Sequence, residues 1–592
     1  MPNCSSVCPP KARKLVLFLN ELTLSGASWQ AFERLVVRLL LSRGYTQVRL
    51  AGSSGDGGAD VTANLNGKRW LFQCKRWRNA VGIATVDETL QAMHTYGADV
   101  PVVVSRNGFT TDVRELQRRL ALAGTPLQLW DSSSLLKLIK RCRPEPITQQ
   151  DPERYELRDY QRRAVEAVMN DRFRGARSAL LVLATGLGKT HIAAETLREI
   201  TKANGPVRTL VLAHRNELVY QLEKAFWPSL TAEQATAIWN GVERPDVDVL
   251  REIDVVFACV DSVAAAASQS PEMLEGFDLV IVDECHHLGS ATYDAVLSAL
   301  SAGDGGTFLI GLTATPWRPD GADLSRWFDL PAASIDLVQG LRQGFLANVD
   351  YRMFTDNIRW ESIAAIDGVS LTPKGINRTL FIEEWDDAVI DRLREAWTEV
   401  ENPKAIVFCG TIDHAIEVAA KVNSLGFSKA VALHSRMTAG RDSVVQRNRV
   451  LWDFAEGTVG ILTAVDILNE GVDVPDVNIV VFQRVTHSRR IFIQQLGRGL
   501  RITPGKEKVI VLDFVSDVRR IAAGLDLQSS LNRPLGGDRI RLGSSVSFMR
   551  HGQVDQSGND FLREWLGDIE GLESAGDDNH ILRFPPTNPP VG

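Results

Sequence analysis

Ala184-Thr185-Gly186-Leu187-Gly188-Lys189-Thr190 follows the apolar run Ser178–Ala184 and opens a stretch with helical spacing. Glycines let backbone N–H groups wrap a phosphate, and a helix N-terminus adds a favourable dipole. Lys189 can then reach the β- and γ-phosphates of ATP, and the Thr190 hydroxyl can ligate Mg²⁺. Thr185, Gly186 and Gly188 complete the loop. The strict pattern asks for a glycine five residues before Gly188, where Leu183 stands. Taken alone, the segment is also compatible with an ordinary turn.

A second stretch removes that ambiguity. Asp283-Glu284-Cys285-His286 ends the apolar run that begins at Leu279. A carboxylate at a strand terminus beside a phosphate loop can hold Mg²⁺, which assigns Asp283 to the metal and Glu284 to activating water. His286 has no accompanying Cys/His set of zinc spacing.

Apolar strand, loop and helix alternate on either side of these stretches. Strands are expected at 179–183, 209–213, 254–258, 279–283 and 308–312, and again at 405–409, 430–433, 459–463, 478–483 and 509–513. Such alternation favours parallel sheets covered by helices on both faces. Before residue 150 the pattern is mixed: a helix over 28–44, a Gly-rich loop, two short strands around Asn66-Gly67, then helices and strands to about Lys140. The fold class is α/β, with expected units at 1–147, 152–325, 326–525 and 526–592. The last is a polar tail in which Phe561, Leu562, Trp565, Leu566 and Ile569 form one amphipathic helix.

The ordered motifs over about 155–520 resemble superfamily 2 helicases or translocases of the DEAD/DEAH type, nearest the motors of type I and III restriction enzymes. Leu157-Arg158-Asp159-Tyr160-Gln161 resembles the Q motif, which implies an adenine contact for Gln161. Ala213-His214-Arg215 resembles motif Ia, which grips the nucleic-acid backbone. Thr313-Ala314-Thr315-Pro316 resembles motif III, which couples the ATP site to the strand path. Val407-Phe408-Cys409 resembles motif IV, and Glu470-Gly471-Val472-Asp473-Val474-Pro475 resembles motif V, with Asp473 toward the nucleotide. Gln494 to Arg501 fits motif VI. Arg498 and Arg501 lie three apart, so on a helix they share a face and can point together at a phosphate. Cys259-Val260 departs from the family, which usually shows Thr there. The resemblance implies two RecA-like parallel-sheet motor domains.

Asn66-Gly67 between alternating runs signals a two-residue hairpin. Its pairing sets Asp60 opposite Gln73, with Lys75 on the same face and Phe72 and Cys74 on the other. Asp60 can bind Mg²⁺, the Gln73 carbonyl can complete the metal site, and Lys75 can stabilise a charged phosphorane. Asp60…Gln73-x-Lys75, with Phe32-Glu33 and Asp56-Gly57-Gly58, resembles the Mrr-like branch of the restriction endonuclease fold. That resemblance implies a nuclease domain in which Glu33 also contributes to the metal site. Arg76 and Arg78 can meet DNA phosphates; Trp77 between them suits packing and base stacking equally.

Composition narrows the class further. The 592 residues include 44% hydrophobic ones and seven cysteines, which suits a chain with several cores and excludes a disulfide scaffold. No run approaches the roughly 18 apolar residues of a membrane span, and none near the N-terminus has the length of a signal peptide, so the expected place is the cytoplasm. Net charge is −7, yet residues 1–150 carry +9 and the remainder −16. A basic head on an acidic body points to an anionic partner for the head. The expected function is an ATP-driven DNA translocase or helicase coupled to a Mg²⁺-dependent endonuclease in restriction or antiviral defence. Double-stranded DNA is the expected partner, with a methyltransferase or other defence subunits beside it and no membrane. The alternative is a repair or recombination helicase whose head only binds DNA.

Overall fold

The computed structural model describes residues 17–50, 59–143, 145–150, 156–302, 307–314, 324–356, 358–362, 370–371, 375–376, 379, 386–434, 450–451, 453–465, 477–483, 499–502, 506, 508–514, 521, 545–550, 553–554 and 582–583. Three main sheets organise them.

The head is built on strands β1 (Thr46–Leu50), β2 (Val61–Leu65), β3 (Lys68–Lys75), β4 (Val100–Ser105) and β5 (Gln128–Asp131), in that spatial order. β1, β2 and β3 pair antiparallel, whereas β3, β4 and β5 run parallel. Asn66 and Gly67 both take positive φ, 51° and 72°, as a tight primed turn requires. The register follows: Val61 faces Phe72, Leu65 faces Lys68, and the Asp60 N–H donates to the Phe72 carbonyl. Helix α1 (Glu21–Gly26) precedes α2 (Trp29–Ser42), which starts where the Ser28 hydroxyl accepts from the Ala31 N–H. Phe72 and Cys74 pack into the cluster that contains Phe32 and Val36 of α2. Leu71, on the opposite face, packs with Ala92 of α3 (Ile83–Thr95). Both faces of the hairpin are therefore covered.

The first motor sheet is wholly parallel. It comprises β6 (Ser178–Leu183), β7 (Thr209–Ala213), β8 (Thr236–Trp239), β9 (Val255–Cys259), β10 (Leu279–Val282), β11 (Phe308–Thr313) and β12 (Pro331–Ile335). Their order is β12-β6-β11-β10-β7-β9-β8, which sets the strands ending at Leu183, Thr313 and Val282 side by side. Because β12 still pairs with β6, the expected division at 325/326 falls inside the first sheet. The chain passes to the second sheet between Ile335 and Asn348.

That second sheet contains β13 (Asn348–Phe354), β15 (Ala405–Phe408), β16 (Ala430–Leu433), β17 (Ile461–Ala464), β18 (Ile479–Phe482), β19 (Lys508–Phe514), β20 (Ser545–Arg550) and β21 (Gln553–Val554). β20 pairs parallel with β13, so the segment expected as a separate tail contributes strands to the second motor sheet. A further short pair joins β14 (Ser370–Leu371) to β22 (Leu582–Arg583). The expected amphipathic helix over 561–569 lies outside the described residues.

The head docks on the first motor lobe through α2. Arg34 meets Glu243 at 2.8 and 2.9 Å and Glu223 at 2.7 Å, all at the buried end of the interface. Arg38 donates to the Thr231 carbonyl at 3.0 Å, and the Phe18 N–H donates to the Ala232 carbonyl at 2.8 Å. A looser contact reaches the second lobe, where Glu456 takes Arg49 at 2.5 Å and Arg69 at 3.2 Å.

Candidate functional site

β6 leads into the phosphate loop, whose Gly186 and Gly188 have φ of 94° and 81°. Gly188 stands as N-cap of the helix Lys189–Asn204. The φ favours glycine there, and a Cβ at Gly188 would lie 2.7 Å from the Gln161 Nε2, so the amide would have to move. The Thr185 hydroxyl is buried with no hydrogen-bond partner among the described residues. A phosphate oxygen would satisfy that orphan donor.

Lys189 and the β10 terminus converge as their neighbouring strands require. The Lys189 Nζ lies 3.2 Å from the Glu284 Oε1. The other Glu284 oxygen lies 3.2 Å from the His286 Nδ1, which lies 3.1 Å from the Thr313 hydroxyl at the end of β11. Burial opposes ionisation of Glu284, but Lys189 and His286 outweigh it and hold the carboxyl below the ordinary range. Burial and then the Glu284 charge push Asp283 up to about 7, against the pull of Lys189. A divalent cation at Asp283 would favour its carboxylate form, with the Thr190 hydroxyl as the other expected ligand.

Gln161 is placed beside this loop. Its Oε1 accepts from the Arg158 N–H at 3.0 Å and its Nε2 donates to the Leu187 carbonyl at 3.1 Å. Tyr160 donates to the same carbonyl and stacks on Phe345 at 4.3 Å between centroids. The aromatic pair carried no sequence signal, because Phe345 lies far along the chain. Arg501 is exposed, and Gly499 approaches Val480 and Val509 so closely that a Cβ would come within 3.0 and 3.1 Å of them. Arg498 and Asp473 lie outside the described residues, as do Thr315 and Pro316.

In the head, the Asp60 Oδ2 accepts from the Cys74 N–H at 2.5 Å. Glu33, reaching from α2, shares its electrostatic surroundings with Asp60 and Lys75: burial and then the Asp60 charge push it up to about 9, against Arg34 and Lys75. Two half-buried carboxylates with an amine in their electrostatic surroundings are a donor set suited to a hard divalent cation. Among the described residues no group of three or more His, Cys, Asp or Glu gathers at a metal-binding spacing. Asp56 lies outside them. Gln73 is 1% exposed and committed to α3: its carbonyl accepts from the Thr89 hydroxyl, and its Nε2 donates to Glu88 at 3.1 Å. The hairpin face that carries Asp60, Gln73 and Lys75 is thus covered by α3 on the Gln73 side. Thr85 and Thr89, buried four apart on α3, were the available sign of a polar contact there.

Comparisons with known proteins agree with this division. Residues 24–139 match the restriction endonuclease family model, 154–318 that of the type III restriction enzyme res subunit, and 388–503 that of the helicase conserved C-terminal domain. The chain joins a restriction endonuclease domain to superfamily 2 helicase domains. It is 28% identical over 455 residues to the type I restriction enzyme EcoAI endonuclease subunit of Escherichia coli, covering 70% of this chain and 55% of that one. It is also 26% identical over 388 residues to a Schizosaccharomyces pombe chain named, provisionally, a mitochondrial ATP-dependent helicase, covering 62% of this chain and 59% of that one. The chain thus spans little more than half the length of these relatives. Among solved structures, the ATP-dependent Type ISP restriction-modification enzyme LlaBIII bound to DNA shares the fold, with a TM-score of 0.51 and 17% identity over 93% of this chain and 42% of that one. No helix among the described residues of the nuclease or helicase domains is long and apolar enough to cross a membrane.

Proposed function

We propose that the helicase domains hydrolyse ATP with Mg²⁺ to move along double-stranded DNA, and that the nuclease domain cleaves that DNA in restriction or antiviral defence. The observation that carries this reading is the adjacency of Glu33 and Arg34 on α2: one belongs to the carboxylate cluster, the other is locked into the first helicase lobe. The cleavage cluster is thereby fixed to the element that would move DNA.

In the helicase, Lys189 and Thr185 bind phosphate, Thr190 and Asp283 hold the metal, and Glu284 orients the attacking water. Gln161 reads the adenine, Asp473 faces the nucleotide, and Arg498 and Arg501 enter from the second lobe when the cleft closes. An arginine supplied in that way is worth roughly 10³–10⁵ in rate. In the nuclease domain, Asp60 and Glu33 would hold a divalent cation, with the Gln73 carbonyl as the further expected ligand, and Lys75 would stabilise the charge that develops on phosphorus. When bound, that cation would supply a polarised phosphate and an activated water. The chain would work in a cytoplasm, with a methyltransferase or other defence subunit as a partner.

DNA-stimulated ATP hydrolysis tests the motor part. Lys189→Ala should abolish it, and unchanged turnover would overturn the assignment. The engaged Gln73 carbonyl favours a second reading, in which the head binds DNA without cutting it and the chain serves repair or recombination. Plasmid incubated with Mg²⁺, with and without ATP, separates the two.

A further inference from the structure

Beside Lys75 of the carboxylate cluster, the loops that follow β3 and β4 carry three arginines that neither that cluster nor the ATP site uses. Lys75 ends β3, and Arg76, Trp77 and Arg78 follow it; Arg106 follows β4. The two loops are tied together. The Arg106 N–H donates to the Lys75 carbonyl, and the Asn107 side chain donates to the carbonyls of Trp77 and Arg78 at 2.7 and 3.0 Å. The helix Ser132–Ile139, which starts directly after β5, joins them where the Ser132 hydroxyl donates to the Arg106 carbonyl at 2.6 Å. Both loops and that helix start lie at the carboxyl ends of the parallel strands β3, β4 and β5, where ligands of α/β sheets gather.

Among the described residues, no carboxylate forms an ion pair with Arg76, Arg78 or Arg106. Burial, then Arg106 and Arg78, lower the Arg76 pKa, the mark of cations crowded together without an anion. Trp77 stands half exposed among them, with the Lys75 ammonium 5.5 Å from its ring centroid. Packing would bury that ring. The other half of its surface is open beside the amine of the carboxylate cluster.

We infer that these loops hold an unpaired DNA strand, Arg76, Arg78 and Arg106 taking its phosphates and Trp77 stacking on one of its bases. A duplex presents its bases already stacked and paired, so only a strand that has been opened can use the ring. Opened strand would arise where the helicase domains separate the duplex they move along, and the cut would fall next to the stacked base. The inference deepens the nuclease reading and rests on it for the position of the cut.

The test uses the full chain without divalent metal, so that a silent nuclease leaves the readout unaffected. An oligonucleotide carrying 5-iododeoxyuridine is photo-crosslinked to the protein, either single-stranded or as a blunt duplex, and the attached peptide is identified by mass spectrometry. The expected result is a crosslink at Trp77 from the single strand and none from the duplex. Trp77→Ala should weaken single-strand binding by roughly 5- to 150-fold, the scale of one lost base stack, and Trp77→Phe should restore most of it. Replacing the three arginines by Gln should reduce the salt slope of that binding by about 2, since each phosphate contact contributes about 0.7 on a single strand. Crosslinks confined to the helicase domains, equal crosslinking by the duplex, or an unchanged salt slope would overturn it. Crosslinking at Trp77 without any cleavage in Mg²⁺ would leave the strand path standing and remove the nuclease reading.

Discussion

Arg34 and Glu243 form a two-pronged ion pair across the junction of the nuclease domain and the first helicase lobe, at 2.8 and 2.9 Å. Ser28 and Tyr220 donate to the same carboxylate, at 3.1 and 3.2 Å, and Glu223 takes the remaining face of the guanidinium. Both partners are about nine-tenths covered. Removing one partner of a buried pair strands the other charge, so Glu243→Ala should cost about 3–5 kcal/mol in chemical denaturation. Glu456→Ala, at the exposed contact with Arg49 and Arg69, should cost less than about 1 kcal/mol. Equal costs for the two would contradict a head anchored mainly to the first lobe.

The 3.2 Å contact between Lys189 and Glu284 predicts separable roles for them. Glu284→Gln keeps the shape and loses the charge that orients water. Its single-turnover hydrolysis should fall by about 10²–10⁴ while nucleotide affinity persists. Lys189→Ala should lose the affinity itself. A Gln variant that hydrolyses normally would remove Glu284 from the chemistry.

Thr313 links β11 to His286 and through it to Glu284. Thr313→Val keeps the size and removes the hydroxyl. Basal ATP hydrolysis should survive, and stimulation by DNA should fall roughly 5-fold or more, the scale of a coupling between two sites. Steady-state ATPase with and without DNA reads it. Loss of both rates in equal proportion would make Thr313 part of the hydrolytic site instead.

Gly188→Ala faces two obstacles, a φ of 81° and a contact of 2.7 Å with the Gln161 amide. The backbone alone costs about 1–2 kcal/mol for an L-residue. Nucleotide binding by calorimetry should weaken and the melting temperature should fall. Unchanged affinity would show that the loop tolerates a side chain at its tightest point.

The parts of the fold that were legible in the sequence are those whose cause is local. Asn66-Gly67 sets the hairpin register because a primed turn allows only one pairing, and Val61 does face Phe72. The phosphate loop and the Asp283-Glu284 terminus were readable because glycine φ and strand-end carboxylates are tied to short spacings. Contacts between distant positions leave no such pattern. The only sign that Thr89 and Glu88 would take the Gln73 amide was the Thr85/Thr89 spacing on α3, and nothing near Arg34 announced Glu243, 209 residues away. The charge split was read as a sign of an anionic ligand for the head. Four of its arginines, Arg34, Arg38, Arg49 and Arg69, instead face the helicase lobes. The short strands at 331–335 and 545–550 were missed because they join sheets through neighbours far along the chain.

Cleavage of covalently closed plasmid in Mg²⁺, with and without ATP, tests the central claim most directly. Wild-type protein should nick or linearise the plasmid when ATP is present. Asp60→Ala should abolish the cut and keep DNA-stimulated ATPase, and Lys189→Ala should lose the ATP dependence. Intact plasmid with wild-type protein, whatever the methylation of the DNA, or cutting undiminished by Asp60→Ala, would contradict a nuclease served by this motor.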